Sequence, residues 1–171
     1  MKMLASLAIL KSIEDHGVDV IYGYPGAANT PIYDSIGKSN ISYILTRNEQ
    51  GAAHAASSYF KMTGKVGVCT ATSGPGATNL VTGIANAYMD SIPMVVFTGQ
   101  VISTQVGKDA FQEVDITGVT TPISKHNYLV KNASDIPRIL NEAFYIAGTG
   151  RPGPVVIDIP MDLQKQEIEY T

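Results

Sequence analysis

A chain of 171 residues with 44% apolar and 16% charged side chains fits one domain and can bury a full core, which excludes a disordered polypeptide. Its formal net charge of -3, with no cluster of Lys or Arg, has the wrong sign for a nucleic-acid surface. The single cysteine, Cys69, excludes an intramolecular disulfide framework and suits a reducing cytosol, and three histidines at unrelated spacings match no zinc signature.

The apolar start MKMLASLAIL soon meets Lys11, Glu14 and Asp15 and lacks a small-residue cleavage site, so it reads as an amphipathic helix over 2–16 rather than a leader. Met3, Leu7, Leu10 and Ile13 share one face of that helix, and Gly17 ends it. VDVIYGY (18–24) is a short strand stopped by Pro25-Gly26, followed by a short helix over 29–37 and a strand, ISYIL, over 41–45. TRNEQGAAHAASSYF (46–60) opens an alanine-rich helix that ends near Gly64. Then come a buried strand over 65–71, a turn at SGPG (73–76), a helix over 77–90 and a strand over 93–99. Residues 100–122 are polar and irregular, long enough for a functional loop. A strand over 126–132, a helix over 134–147 and a last buried strand, PVVIDIP (154–160), complete the pattern. The tail after Pro160, MDLQKQEIEYT, carries no packing signal. No segment approaches the roughly 20 apolar residues a membrane span needs.

Apolar strands alternating with helices imply an α/β three-layer sandwich, with a mostly parallel sheet flanked by helices. The domain spans 1–163, and 164–171 reads as the start of a connection. Glycine-rich turns follow the strands, so their loops gather at the carboxyl edge of the sheet, where open α/β sheets bind ligands.

Several motifs admit more than one reading. GTGRPG (148–153) follows a helix and precedes a strand, the reverse of a dinucleotide fingerprint, and is a plain connection. Gly74-Pro75-Gly76 lies correctly between strand and helix but lacks the third glycine, so a bare turn and a ligand loop both remain open; Thr72 and Ser73 add donors there. NIS (40–42) and NAS (132–134) carry no meaning without a secretory leader. Thr46-x-x-Glu49 fits a capping box, and an acid in the first helical turn gains roughly 0.3–1 kcal/mol from the macrodipole. Spacing alone therefore favours a structural role for Glu49. Against it stand the small residues behind it (Gly51, Ala52, Ala53, Ala55, Ala56), which permit close approach of another backbone, and its place at the ligand edge. His54 reads as packed or hydrogen-bonded rather than as a base. Asp109 to Glu113 is either a solvated turn or a binding lid with an aromatic beside an amide; periodicity does not decide.

Taken together, GYPGAANTPIYDSI, RNEQGAAHAASSY, TSGPGATNLVTGIANAYMDSIPMVVFTGQV, DAFQEVD and GRPGPVVIDIP closely resemble, in this order, one family. It is the N-terminal pyrimidine-binding (PYR) domain of acetolactate (acetohydroxyacid) synthase catalytic subunits, thiamine-diphosphate enzymes of branched-chain amino-acid biosynthesis. The resemblance covers essentially the whole chain and implies the thiamine-diphosphate-binding fold. It implies that Glu49 hydrogen-bonds N1′ of the cofactor's aminopyrimidine, favouring the tautomer whose 4′-nitrogen takes the proton from thiazolium C2. It implies that Tyr24, Pro25, Gly26, Pro75 and Asn79 line the pyrimidine pocket. Ala27, Phe111 and the catalytic candidate Gln112 then face substrate or cofactor, and Lys125 the mouth.

No metal ligand is implied in this chain: Mg²⁺ belongs to a diphosphate-binding domain, in the same or a partner chain, whose Gly-Asp-Gly…Asn motif does not occur here. The family pattern further implies a cytoplasmic homodimer with the alanine-rich helix in its contact, no nucleic acid and no membrane. FAD and a regulatory subunit stay open for the full-length protein. The chain alone should be half an active site. The alternatives are the corresponding domain of another thiamine-dependent carboligase or 2-oxoacid decarboxylase, and a non-catalytic partner-binding module. Four departures from the family pattern stand out: Ala27 for a second glycine, Asn48 for a histidine, Ser57-Ser58 for an acid and glycine, and Ile102 for a proline.

Overall fold

Unbroken apolar runs become the centre of a sheet because strands covered on both faces have no polar side to present. The computed structural model describes residues 1–170. In chain order the elements are β1 (Lys2–Leu4), α1 (Ala5–Asp15), β2 (Val20–Gly23), α2 (Thr30–Ile36), β3 (Ser42–Leu45), α3 (Glu49–Thr63), β4 (Gly67–Ala71), α4 (Pro75–Asn79) and α5 (Val81–Met89). There follow β5 (Met94–Gln100), α6 (Ile116–Thr120), β6 (His126–Leu129), α7 (Ile136–Gly148), β7 (Pro154–Pro160), α8 (Met161–Gln164) and β8 (Glu167–Glu169). Six strands form one sheet in the order β3-β2-β4-β5-β7-β6, and every pairing in it is parallel.

Alternation along the central strands divides the core. Val68, Val95, Phe97, Val155 and Ile157 face α1 and α7, packing with Ile9, Leu10, Ile13 and Leu140. Cys69, Met94, Val96 and Val156 face the other way, onto Ala52, Ala53, Ala56, Leu80 and Ile84 of the α3–α5 layer. The three-layer α/β sandwich expected from the sequence is therefore present, and each fully buried large side chain contributes roughly 1.5–3 kcal/mol. No helix among the described residues is long and apolar enough to cross a membrane.

On α3 the small residues serve packing within the chain. A Cβ on Gly83 would fall 2.3 Å from Ala53 Cβ, and one on Gly67 would fall 2.1 Å from the Ala56 carbonyl oxygen. Helix and sheet therefore meet at backbone distance. Outside this contact Met62 remains exposed on the same helix.

Four local expectations are corrected. The first helix begins at Ala5, because Lys2–Leu4 pairs antiparallel with Glu167–Glu169 and places Met3 opposite Ile168. The tail after Pro160 packs: Leu163, Gln164 and Ile168 are buried, while Thr171 lies outside the described residues. A strand of three residues has too little length to show a period, and its partner is at the far end of the chain. The helix over 77–90 is two, with Pro75 in the first turn of α4 and Leu80 between α4 and α5. The irregular stretch 100–122 contains α6, capped by Asp115, whose carboxylate accepts from Gly118 N at 2.9 Å.

The capping box is replaced as well. Asn48 is the N-cap of α3, and its Oδ1 accepts from Gly51 N at 2.7 Å. The Thr46 hydroxyl instead donates to the carbonyl of Asn48 at 2.8 Å. The helix starts two residues later than the Thr46 spacing assumes, which leaves the Glu49 carboxylate free of capping duty. Asn48→Ala is expected to cost about 1 kcal/mol of stability in urea unfolding, and Asn48→Ser or Asn48→Asp much less.

Asp158 lies in β7 at 1% exposure. Thr98 Oγ1 donates to its Oδ1 at 2.7 Å and Gln100 Nε2 to its Oδ2 at 2.8 Å. Burial pushes its carboxyl up to about 7 against the pull of these two donors. The folded chain then holds a proton between about pH 4 and 7 that the unfolded chain has lost, so this group's contribution to stability falls as pH rises through that window. Denaturant unfolding from pH 4 to 7 should show Asp158→Asn gaining on the wild type by up to about 1.4 kcal/mol per pH unit.

Candidate functional site

Parallel pairing in register brings four loops to one level. Gly23 pairs with Leu45 and with Thr70, and Ala71 with Thr98, so the segments 24–28, 46–48, 72–74 and 101–112 leave the sheet side by side. Thr72 ties the first to the third. Its Oγ1 accepts from Ala28 N at 3.1 Å, and a Cβ on Gly26 would lie 2.5 Å from its own Cβ. Gly74, at φ +55, backs onto the fourth loop, where an added Cβ would fall 2.4 Å from the Gln112 carbonyl oxygen. Gln112 also sits at positive φ, as does Asp109. Their loop is closed by Glu113, whose carboxylate accepts from the backbone N–H groups of Gly107, Lys108 and Ala110. Those bonds, the one from Gly107 foremost, hold the Glu113 carboxyl below the usual range.

Glu49 occupies the first turn of α3, where the helix dipole favours a carboxylate, and it is 8% exposed. Its Oε2 accepts from Asn79 Nδ2 at 3.0 Å. Its Oε1 lies 3.4 Å from where a Cβ on Gly76 would sit, and that Cβ would fall 2.7 Å from Thr72 Cγ2. The result is a buried acid beside a glycine turn packed on the Thr72 methyl, with one carboxylate oxygen uncommitted to any donor among the described residues.

Of the residues singled out in the sequence, Tyr24, Pro25, Gly26, Ala27, Glu49, Pro75, Phe111 and Gln112 lie on these edge segments or at the helix starts that follow them, and Asn79 is the last residue of the short α4. Tyr24 is 42% and Phe111 87% exposed, both turned outward from the core. Ala27, Ile102, Phe111, Gln112 and Met161 line a cavity of about 160 Å³. Lys125 is not brought to this site within the chain. Its N–H bonds Pro154 O at the opposite, amino edge of the sheet. Its ammonium donates to the carbonyls of Ile146 and Thr149 at the end of α7, and desolvation lowers its pKa. His54 is half-buried on α3. Sequence reasoning does not find Met161, because nothing periodic marks the stretch after Pro160; nor does it show that Thr72 joins two loops, although a hydroxyl beside a helix start is a usable signal.

Residues 3–119 match the family model described as thiamine pyrophosphate enzyme, N-terminal TPP binding domain. The chain is 56% identical to an acetolactate synthase of Arthrospira platensis over 99% of its own length and 30% of that protein's. It is 54% identical to the acetolactate synthase large subunit of Corynebacterium glutamicum over 99% of this chain and 27% of the other. A probable acetolactate synthase large subunit of Methanocaldococcus jannaschii is 53% identical over 98% and 28% of the two chains. The chain thus spans less than a third of the length of these relatives.

The residues present fit the pyrimidine end of thiamine diphosphate. Glu49 is buried as a residue, and among the described residues no donor of the chain bonds its Oε1. The glycines at 26, 74 and 76 let Thr72 and the Gln112 backbone pack directly onto the turns beside it, with no space for a Cβ. The chain belongs to the thiamine pyrophosphate enzyme family and carries its N-terminal, cofactor-binding domain.

Proposed function

We propose that the protein is an acetolactate synthase and that this chain is the domain that activates its cofactor, without turnover by itself. The observation that carries the reading is Glu49: a buried carboxylate, fixed through Asn79, at the ligand edge of a parallel sheet. The kinship of 53–56% with acetolactate synthases supports the choice among thiamine-dependent reactions.

Bound thiamine diphosphate supplies the electron sink that lets a 2-oxoacid lose CO₂ and pass its two-carbon remainder to a second 2-oxoacid. The chain's residues prepare for that. Asn79 holds Oε2, so Oε1 is left to share a proton with the ring nitrogen. The close contact of Gly26 and Gly76 with Thr72 holds the two loops beside Glu49 in one arrangement, against which the ring would be oriented. Phe111 and Gln112, held at the rim by the Glu113 turn, would cover a bound substrate and offer it an amide. Mg²⁺ would be held by a diphosphate-binding domain outside this chain, as would FAD where it is used. The second half of the site comes with a homodimer that the exposed rim of α3 helps to form, in the cytoplasm, with a regulatory subunit as a further partner. Lys125 reaches a mouth only across that subunit contact.

In the full-length protein, Glu49→Gln should lower the kcat for acetolactate formation from pyruvate by roughly 100- to 10,000-fold. Undiminished turnover would mean that the domain binds a partner without taking part in the chemistry. A product other than acetolactate would move the protein to another thiamine-dependent carboligase or decarboxylase. Asn79→Ala should lower kcat by about tenfold, through loss of the fixed carboxylate.

A further inference from the structure

Helix α8 has four residues, and two of its side chains reach back to the candidate site. Gln164 is fully buried, and its Nε2 donates to Ala28 O and to Ile159 O, each at 2.8 Å. Its Oε1 has no partner among the described residues, so the side chain is buried for what its N–H groups do. Ala28 is thereby held at both ends of its peptide frame, with its N–H on Thr72 and its carbonyl on Gln164. The approach is tight: a Cβ on Gly99 would fall 2.3 Å from that same carbonyl oxygen.

Asp162 acts on the other side. Its Oδ1 accepts from Ser103 N at 2.8 Å and its Oδ2 from Ser103 Oγ at 2.6 Å. Ser103 follows Ile102, whose carbonyl accepts from Gln105 N at 2.8 Å, so the clamp fixes the turn that presents Ile102. Between the two clamps Met161 lines the cavity of about 160 Å³ with Ala27 and Ile102. An acid in the first turn of a helix needs no partner beyond the dipole. Here both its oxygens are committed to Ser103, the residue next to Ile102 of the cavity wall.

We propose that α8 is a positioning element that sets the width of the cavity mouth, with Gln164 fixing the Ala27 wall and Asp162 fixing the Ile102 wall. Both walls then move with one short helix seated at the end of β7. Ala27 and Ile102 are also two of the five positions that differ from what the family resemblance leads one to expect. The role of the cavity as the entry for the 2-oxoacid rests on the function proposed above; the clamping of the walls does not.

The test uses the full-length protein and three variants. Gln164→Met keeps the volume and removes both donors, Asp162→Ala removes the serine clamp, and Asp162→Asn keeps an acceptor for Ser103 N. Amide hydrogen exchange should speed up about tenfold over 26–30 in Gln164→Met and over 101–105 in Asp162→Ala, with β4 and β5 unchanged and Asp162→Asn close to wild type. In steady-state kinetics the first two should raise KM for pyruvate about tenfold with kcat within about threefold. Unchanged exchange at both walls overturns the proposal. So does faster exchange spread evenly through β4 and β5, which marks a general loss of stability, and so does an unchanged KM despite loosened walls. A wild-type protein that forms no acetolactate defeats the functional reading, while exchange still decides whether α8 holds the walls.

Discussion

The site rests on how closely α3 lies to its neighbours. Ala53 against Gly83 and the Ala56 carbonyl over Gly67 leave no space for another methyl group. At that distance the start of α3 is drawn in among the edge loops, and Glu49, in its first turn, is carried out of water. A larger residue at any of these contacts would lift the helix and, with it, the acid. Packing in the α3–α5 layer and the chemistry at the carboxyl edge are therefore one constraint. The alanines that look from sequence like a surface for another subunit are used first inside the chain.

The second constraint is the crowding of the loops themselves. Thr72 sits where side chains on Gly26 or Gly76 would collide with it, and Gly74 meets the Gln112 backbone. These glycines matter for the room they leave, and Gly74 for its left-handed backbone as well. The uncommitted Glu49 Oε1 thus sits in a tightly packed surround. Two loops press together around Thr72, whose methyl lies against Gly76 beside that oxygen.

Asn48, where the resemblance leads one to expect a histidine, has a local role of its own. As the N-cap it satisfies Gly51 N, a donor that the helix cannot bond internally, and so relieves the neighbouring glutamate of that duty. An acid that capped its own helix would have an oxygen committed to backbone. Here the oxygens of Glu49 meet Asn79 and the open site instead. The other departures, Ala27 and Ile102, sit on the rim of one cavity. Nothing in the structure explains Ser57-Ser58, where the Ser57 hydroxyl is buried without a partner among the described residues.

The sequence by itself determined the alternation of strands and helices, the parallel sheet, the gathering of glycine turns at one edge and the family. Each is written in local terms: unbroken apolar runs, glycine after strand, long motifs in fixed order. Nine of the ten candidate residues lie on segments at the carboxyl edge of the sheet, and Lys125 does not. The tertiary structure decided what local pattern does not encode. The pairing of β1 with β8 and the burial of Gln164 join the two ends of the chain, where segments of three or four residues are too short to show a period. The start of α3 turned on whether Thr46 or Asn48 had its side chain free, which depended on the Gly23 and Asn48 carbonyls within reach of the Thr46 hydroxyl. Lys125 lies at the opposite edge because the strand it precedes runs parallel to β7, and a residue before such a strand falls at the amino edge.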